Sequence, residues 1–293
     1  IDAHPFVPAD PATLDERCRE VFSIQTAGLA RRLEHVGAKR VVLGLSGGLD
    51  STLALLVCVR TFELLGLPRA GILAVTMPGF GTTARTLESA RTLAAAVGAE
   101  LREIDIRPAC EQHIRDIGLP PEDRESHTYQ NLQARERTQV LMALANMESG
   151  IVVGTGDLSE IALGWATFAG DHIAMYGVNG SVPKTLVRRL VEWVASHHAS
   201  EAEKGALVSV LETPVSPELV PPGKDGAISQ KTEDLVGPYE LHDFFLFCLL
   251  RWGAGPRKIL FLAEHAFAGR YDAAALRRWI LVFLRRFFAQ QWK

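Results

Sequence analysis

The run Val41-Val42-Leu43-Gly44-Leu45-Ser46-Gly47-Gly48-Leu49-Asp50-Ser51, continued by Thr52-Leu53-Ala54-Leu55-Leu56-Val57, sets the architecture of this chain. An apolar strand-like segment, a small-residue turn and a helix-like segment follow one another without a spacer. Gly47 and Gly48 let backbone N–H groups approach an anion with no side chain in the way. The N-terminus of the following helix aims its unsatisfied N–H groups at the same point. Ser46 and Ser51 add hydroxyl donors, and Asp50 has the chemistry to hold the cation that accompanies a polyphosphate. The lysine of the Walker phosphate loop is missing. Such a turn suits an enzyme that grips pyrophosphate and cleaves ATP between the α and β phosphates.

The same alternation continues on both sides. A helix is expected from about Thr13 to Glu34 with Gly37 as its stop, after an extended arm over 1–11. Helix 51–65, strand 72–76, helix 83–97 closed by Gly98, strand 101–106, helix 129–147 and strand 151–154 follow. Short apolar runs separated by amphipathic helices predict an α/β fold with a doubly wound parallel sheet covered on both faces. Ligands of such sheets bind beyond the carboxyl ends of the strands, where the Ser46 loop falls. After Gly154 the pattern becomes helical, with helices expected over 182–197, 241–252, 256–267 and 273–292. The stretch 213–238 is rich in proline, glycine and charge and reads as a long loop of lid-like length.

Composition narrows the classes. The chain has 293 residues, 47% hydrophobic, with a formal net charge of −3. That is enough to bury a substantial core, and it lacks the basic excess of a general nucleic-acid binder. Cys18, Cys58, Cys110 and Cys248 form no C-x-x-C and read as small core residues in a reducing compartment. No apolar stretch reaches the roughly 18 residues needed to span a membrane, and no signal peptide is visible. A cytoplasmic protein is expected.

Three more stretches carry chemistry. Met77-Pro78-Gly79-Phe80-Gly81-Thr82-Thr83 follows the second strand, either as a flap over a nucleotide or as a plain turn capped by Thr82 or Thr83. Gly154-Thr155-Gly156-Asp157-Leu158-Ser159-Glu160 follows the fourth strand. There Thr155 is a phosphate donor, Asp157 a helix cap, and Glu160 either a solvated acid or a partner of Asp50 on Mg²⁺. On Tyr129-Gln130-Asn131-Leu132-Gln133-Ala134-Arg135, Asn131 and Arg135 are four apart and share a helix face.

Together these segments resemble the N-type ATP pyrophosphatases, a group whose fold is Rossmann-like, of the adenine nucleotide alpha-hydrolase type, here with an α-helical C-terminal extension. The narrower resemblance is to the synthetase half of glutamine-dependent NAD synthetases. It rests on 129–135, on Gly154 to Phe168, on Val182-Pro183-Lys184-Thr185, on Lys231 to Phe245 and on Arg285-Arg286-Phe287-Phe288. It implies amidation of deamido-NAD with ATP and ammonia through an acyl-adenylate, releasing AMP and pyrophosphate. It also implies ATP contacts from Gly44, Leu45, Ser46, Gly47, Gly48, Leu49, Asp50, Ser51, Thr155, Lys184 and Ser216. Mg²⁺ would sit on Asp50 and Glu160, and Asp50, Glu160 and Lys184 would carry catalysis. Deamido-NAD would meet Asn131, Arg135, Glu160, Trp165, Ala166, Thr167, Phe168, Asp171 and Lys293. A homodimer is expected, with the glutaminase of the long-form members supplied in a parent chain or in trans, because nothing within 1–293 resembles it. Residues 1–293 are expected to form one synthetase domain. Two alternatives stay open on the residues alone: another amidating or tRNA-thiolating enzyme of the same group, and a silent nucleotide-binding module.

Overall fold

The computed structural model describes residues 1–124, 126–212, 233 and 236–293. Five strands form one parallel sheet: β1 (Val41–Gly44), β2 (Ile72–Thr76), β3 (Glu100–Glu103), β4 (Ile151–Gly154) and β5 (Tyr176–Gly177), in the order β3-β2-β1-β4-β5. The chain winds from β1 outward to β3 and then returns to pair β4 on the other side of β1. The crevice beyond the carboxyl ends of β1 and β4 is therefore the switch point, where α/β sheets take their ligands.

Side chains alternate between two apolar cores, as the period of a strand requires. Val41, Leu43, Ile72, Ala74 and Val153 join a core built with α1 (Pro11–Val36), α2 (Leu49–Leu64), α3 (Ala84–Val97), α7 (Lys184–His197) and α8 (Glu201–Leu211). Val42, Leu73, Val75 and Val152 face the other way, against α4 (Arg107–Ile117) and α5 (His127–Met147). Burial on both faces explains why these strands read as unbroken apolar runs. The short α6 (Leu158–Leu163) packs into a third apolar cluster with α9 (Tyr239–Trp252), α10 (Pro256–Ala266) and α11 (Ala273–Ala289).

The helix ends follow their caps. Asp10 accepts from Thr13 N at 2.8 Å with Pro11 in the first turn of α1, and Gly37 at φ +69° closes that helix. Thr83 caps α3, and Ser200 and Glu203 form a reciprocal capping box on α8. The third strand is shorter than the expected 101–106, yet Ile104 N and Ile106 N still bond to Thr76 O and Pro78 O. Its regular part sits at the sheet edge, where Glu100, Arg102 and Glu103 replace the apolar alternation. Helices α4 and α8 and the two-residue β5 go beyond the sequence expectation, and β5 is too brief to show a period. The four cysteines are free and buried, as expected.

Candidate active site

The switch-point crevice is built first by the Ser46 loop. Gly47 adopts φ +85°, and a Cβ there would lie 2.4 Å from the Thr86 carbonyl oxygen, so only glycine closes this turn against α3. Gly48 occupies the N-cap of α2 and has no side chain to cap it. The N–H groups of the first helical turn have no intrahelical partner, which leaves them for an anion. The two serines spend much of their capacity on the loop itself. Ser46 Oγ accepts from Gly48 N at 3.2 Å, and Ser51 Oγ accepts from Ser46 N at 3.3 Å and donates to Gly48 O at 3.1 Å.

The loop after β4 meets it from the other side. Asp157 caps α6 through Oδ1, which accepts from Glu160 N at 2.8 Å. The capping reading of Asp157 therefore holds, but its second oxygen does more. Lys184 Nζ, in the first turn of α7, lies 2.7 Å from Asp157 Oδ2 and 2.8 Å from both Asp50 Oδ2 and Glu160 Oε1. The ring of Tyr239 lies 5.4 Å from the same ammonium. Asp157 is fully buried. One cation thus ties together three acids drawn from two loops.

The electrostatics follow from burial. Loss of water pushes the Glu160 carboxyl up to about 7, opposed by Lys184 and reinforced by Asp50. Burial also raises Asp157, with Glu160 adding to it. For Lys184 burial works against the ammonium, but Asp50, Glu160 and Asp157 outweigh it and hold the lysine charged well above its ordinary range. Ligand oxygens of Asp50, Asp157 and Glu160 all lie within 4.8 Å of one another. Asp50 Oδ1 is buried and has no hydrogen-bond partner among the described residues. Clustered hard oxygens with one unused buried lone-pair site fit a small divalent cation such as Mg²⁺.

A buried amide fixes the spacing of the two loops. Asn179 Nδ2 donates to Asp50 O at 2.9 Å and to Thr155 O at 3.1 Å, while its Oδ1 accepts from Gln25 Nε2 at 3.1 Å. Both Asn179 and Gln25 are buried. Neither stands out in the sequence. Asn179-Gly180 reads there as a turn, and nothing local shows that its amide spans two loops.

Beside the acids lies a cavity of ≈ 120 Å³ whose walls include Thr155, Glu160, Ala166, Asp171 and Lys293. Asn131 and Arg135 do share a face: Asn131 Oδ1 accepts from Thr167 Oγ1 at 3.2 Å and Arg135 Nε donates to Phe168 O at 3.2 Å. Asp171 Oδ1 accepts from Thr167 N at 2.7 Å, and Lys293 Nζ donates to Gly164 O at 2.8 Å and Ala166 O at 2.9 Å. Trp165 packs on the C-terminal core under the Arg286 guanidinium, 5.1 Å from its ring centroid, so one face is already covered. Phe168 is 48% exposed and meets the Trp292 ring at 5.1 Å between centroids. In the 77–83 turn, Thr83 is the helix cap, and Thr82 Oγ1 accepts from Gly79 N at 2.9 Å. Ser216 and nearly all of the 213–238 stretch fall outside the described residues.

Comparison with known proteins identifies a family. Residues 21–251 match the NAD synthase family. The chain is 43% identical to a glutamine-dependent NAD(+) synthetase of Mycobacterium leprae over 99% of its own length and 45% of that relative. It is 34% identical to an NH(3)-dependent NAD(+) synthetase of Hyperthermus butylicus, covering 82% of this chain and 81% of the relative. A glutamine-dependent NAD(+) synthetase structure from Cytophaga hutchinsonii superimposes with a TM-score of 0.74 at 20% identity, over 94% of this chain and 49% of that one. That likeness speaks for the fold. The chain thus spans less than half of the glutamine-dependent relatives it matches. The family match covers well over half of the chain, and on that ground the chain belongs to the NAD synthase family.

Proposed function

We propose that this chain amidates deamido-NAD to NAD at the expense of ATP, through an acyl-adenylate, with AMP and pyrophosphate as the other products. The observation that carries the reading is the Lys184 knot, set between a lysine-free phosphate turn and a cavity that shares Glu160 with it. A carboxylate is a poor electrophile until a good leaving group is attached, so the enzyme's work is to hold two polyanions together and absorb developing charge.

The backbone N–H groups of Gly47, Leu49, Asp50 and Ser51 bind the β- and γ-phosphates, and Thr155 donates from the facing loop. Lys184 balances the acids before ATP arrives and faces the departing pyrophosphate afterwards. Asp50 and Glu160, with Asp157 behind them, would hold Mg²⁺, which supplies neutralising charge to the phosphates. Lys293 and Asp171 on the cavity wall, with Asn131 and Arg135 bonded to Thr167 and Phe168, bind and orient deamido-NAD so that its carboxylate reaches the α-phosphate. Among the described residues no helix is long and apolar enough to cross a membrane. We place the enzyme in the cytoplasm, as a homodimer acting as one synthetase domain with ammonia as its nitrogen donor. The coverage of the NH(3)-dependent relative supports that donor.

Product analysis tests the reading. AMP and pyrophosphate should form only when deamido-NAD is supplied, NAD should follow only with ammonium, and glutamine alone should not replace it. ADP as the product, or AMP release independent of deamido-NAD, overturns the assignment. Light scattering of the purified chain tests the dimer.

A further inference from the structure

Helix α7 brings Lys184 into the knot, yet it has no cap of its own. The residue in its capping position is Pro183, whose side chain offers no acceptor. The missing acceptor comes from the C-terminal helical layer. Asp243, on α9 and 2% exposed, accepts through Oδ2 from Thr185 N at 2.9 Å and from Thr185 Oγ1 at 2.6 Å. Its Oδ1 accepts from the Ser159 hydroxyl, and Ser159 Oγ in turn accepts from Lys184 N at 2.9 Å.

A single carboxylate thereby holds the first turns of two helices. Thr185 is the neighbour of Lys184, and Ser159 is the neighbour of Glu160. A carboxylate at a helix N-terminus is favourable both to the free N–H groups and to the helix dipole. Here it is supplied from more than fifty residues downstream of α7's first turn, so its geometry depends on the packing of α9 rather than on local sequence. The rest of α9 is anchored in the C-terminal core by Leu241, Phe244 and Phe245.

We infer that Asp243 is a positioning residue for the proposed amidation, capping α7 from across the molecule and thereby setting the distance between Lys184 and Glu160. The inference rests on the proposed function for its kinetic readout but not for its structural one. A displacement of about 1 Å at a reacting centre costs on the order of 10²-fold in rate.

The test compares Asp243→Ala, Asp243→Asn and Leu241→Ala by melting temperature, by kcat and KM in the deamido-NAD assay, and by MgATP titration calorimetry. Asp243→Ala should lower kcat by about 10²-fold at saturating substrates, a size set by misplacement of catalytic groups. Asp243→Asn keeps an acceptor for Thr185 and should recover part of that loss. Leu241→Ala, a core truncation in the same helix, should lose thermal stability while keeping kcat per folded molecule within about twofold, as expected when only packing is removed. Thr185→Val should weaken kcat alone and add nothing in the Asp243→Ala background, since partners in one network are non-additive. Wild-type kcat in Asp243→Ala, or a kcat loss in Leu241→Ala matching that of the Asp243 variants at equal melting temperature, overturns the inference. If Asp243→Ala fails to fold, Asp243→Asn and Thr185→Val decide by the same criteria. If the wild-type chain forms no AMP with deamido-NAD, the proposed function falls and the MgATP titration decides this inference. A loss of about tenfold in affinity in Asp243→Asn but not in Leu241→Ala upholds it, on the scale of one charged hydrogen bond, and equal affinities overturn it.

Discussion

Glu160 touches one lysine and shares a cavity with another, and the two are held in opposite ways. Lys184 is wrapped by Asp50, Asp157 and Glu160, which keep its ammonium charged against the pull of burial. Among the described residues Lys293 donates to the carbonyls of Gly164 and Ala166, and burial together with Arg286 lowers its hold on the proton. The first lysine is an internal counter-ion, neutralised by the fold before any ligand arrives. The second has no bonded counter-ion among the described residues, so an arriving anion would supply the missing charge. Groups that must stay put during chemistry are enclosed by charge, whereas groups that must exchange substrate lean on backbone dipoles and stay half open.

The largest effect should come from removing the enclosed lysine. Lys184→Met leaves the buried Asp157 and the partly buried Asp50 and Glu160 around an apolar chain, and stranding the buried Asp157 charge in this way costs about 3–5 kcal/mol. The melting temperature should fall steeply at neutral pH, and added Mg²⁺ should restore part of it. AMP formation should drop by on the order of 10³-fold in the refolded fraction, as for loss of a principal electrostatic group. A Lys184→Met protein as stable as wild type would show that the ammonium is not the counter-charge that the acids need.

A second test concerns the dry layer behind the knot. His242, on α9, is enclosed by aromatic rings and bonds through Nε2 to Val236 O at 2.7 Å, and burial lowers its imidazole to about 4. An unfolded chain takes up that proton near 6.5. Between those values the unfolded state binds more protons, so this contribution is complete above pH 6.5 and is lost as pH falls through 4. The loss should reach roughly 3 kcal/mol at pH 4. His242→Phe gives up a hydrogen bond worth about 1 kcal/mol at neutral pH but should show a flatter acid limb in urea titrations. Parallel limbs would remove His242 from the account.

The amide that spaces the loops comes next. Asn179→Ala leaves the Asp50 and Thr155 carbonyls without their shared donor, each such loss costing about 1–3 kcal/mol unless water enters. The kinetic loss should be about 10²-fold in kcat with a smaller change in KM for deamido-NAD, because the knot shifts and the rim does not. A KM effect confined to deamido-NAD would instead place Asn179 with the rim.

Much of this site is legible in the amino-acid sequence, and the residues that stay hidden there do so for one reason. Asp50, Thr155 and Glu160 are legible because each follows an apolar strand, and parallel strands bring such loops to one edge. Asp157 reads as a cap and is one, but its second oxygen answers to Lys184, which arrives by a separate crossover. Asn179, Gln25 and Asp243 are silent for the same cause: their partners lie far along the chain, and their own neighbourhoods look like a turn, a helix face and another helix face. Periodicity likewise finds the long helices and the fully buried strands. It misses α4 and α8, and β5, whose two residues carry no period.

The smallest expected effect is also the one that separates the two lysines most cleanly. Lys293→Met removes an ammonium that neutralises no bonded acid, so the folded chain should lose little. Gly164 and Ala166 both line the partly open cavity, and Gly164 O keeps Arg286 Nη2 at 3.4 Å, which limits the penalty to about 1 kcal/mol or less. If the charge serves deamido-NAD, KM for that substrate should rise by about tenfold, the scale of one charged hydrogen bond, with kcat and KM for ATP nearly unchanged. Added salt should weaken deamido-NAD binding in the wild type more than in Lys293→Met, since screening acts on the charge that the variant lacks. A stability loss comparable to that of Lys184→Met would mean that Lys293 is a structural tie between the chain end and the 164–166 turn, and the contrast between the two lysines would then be one of degree.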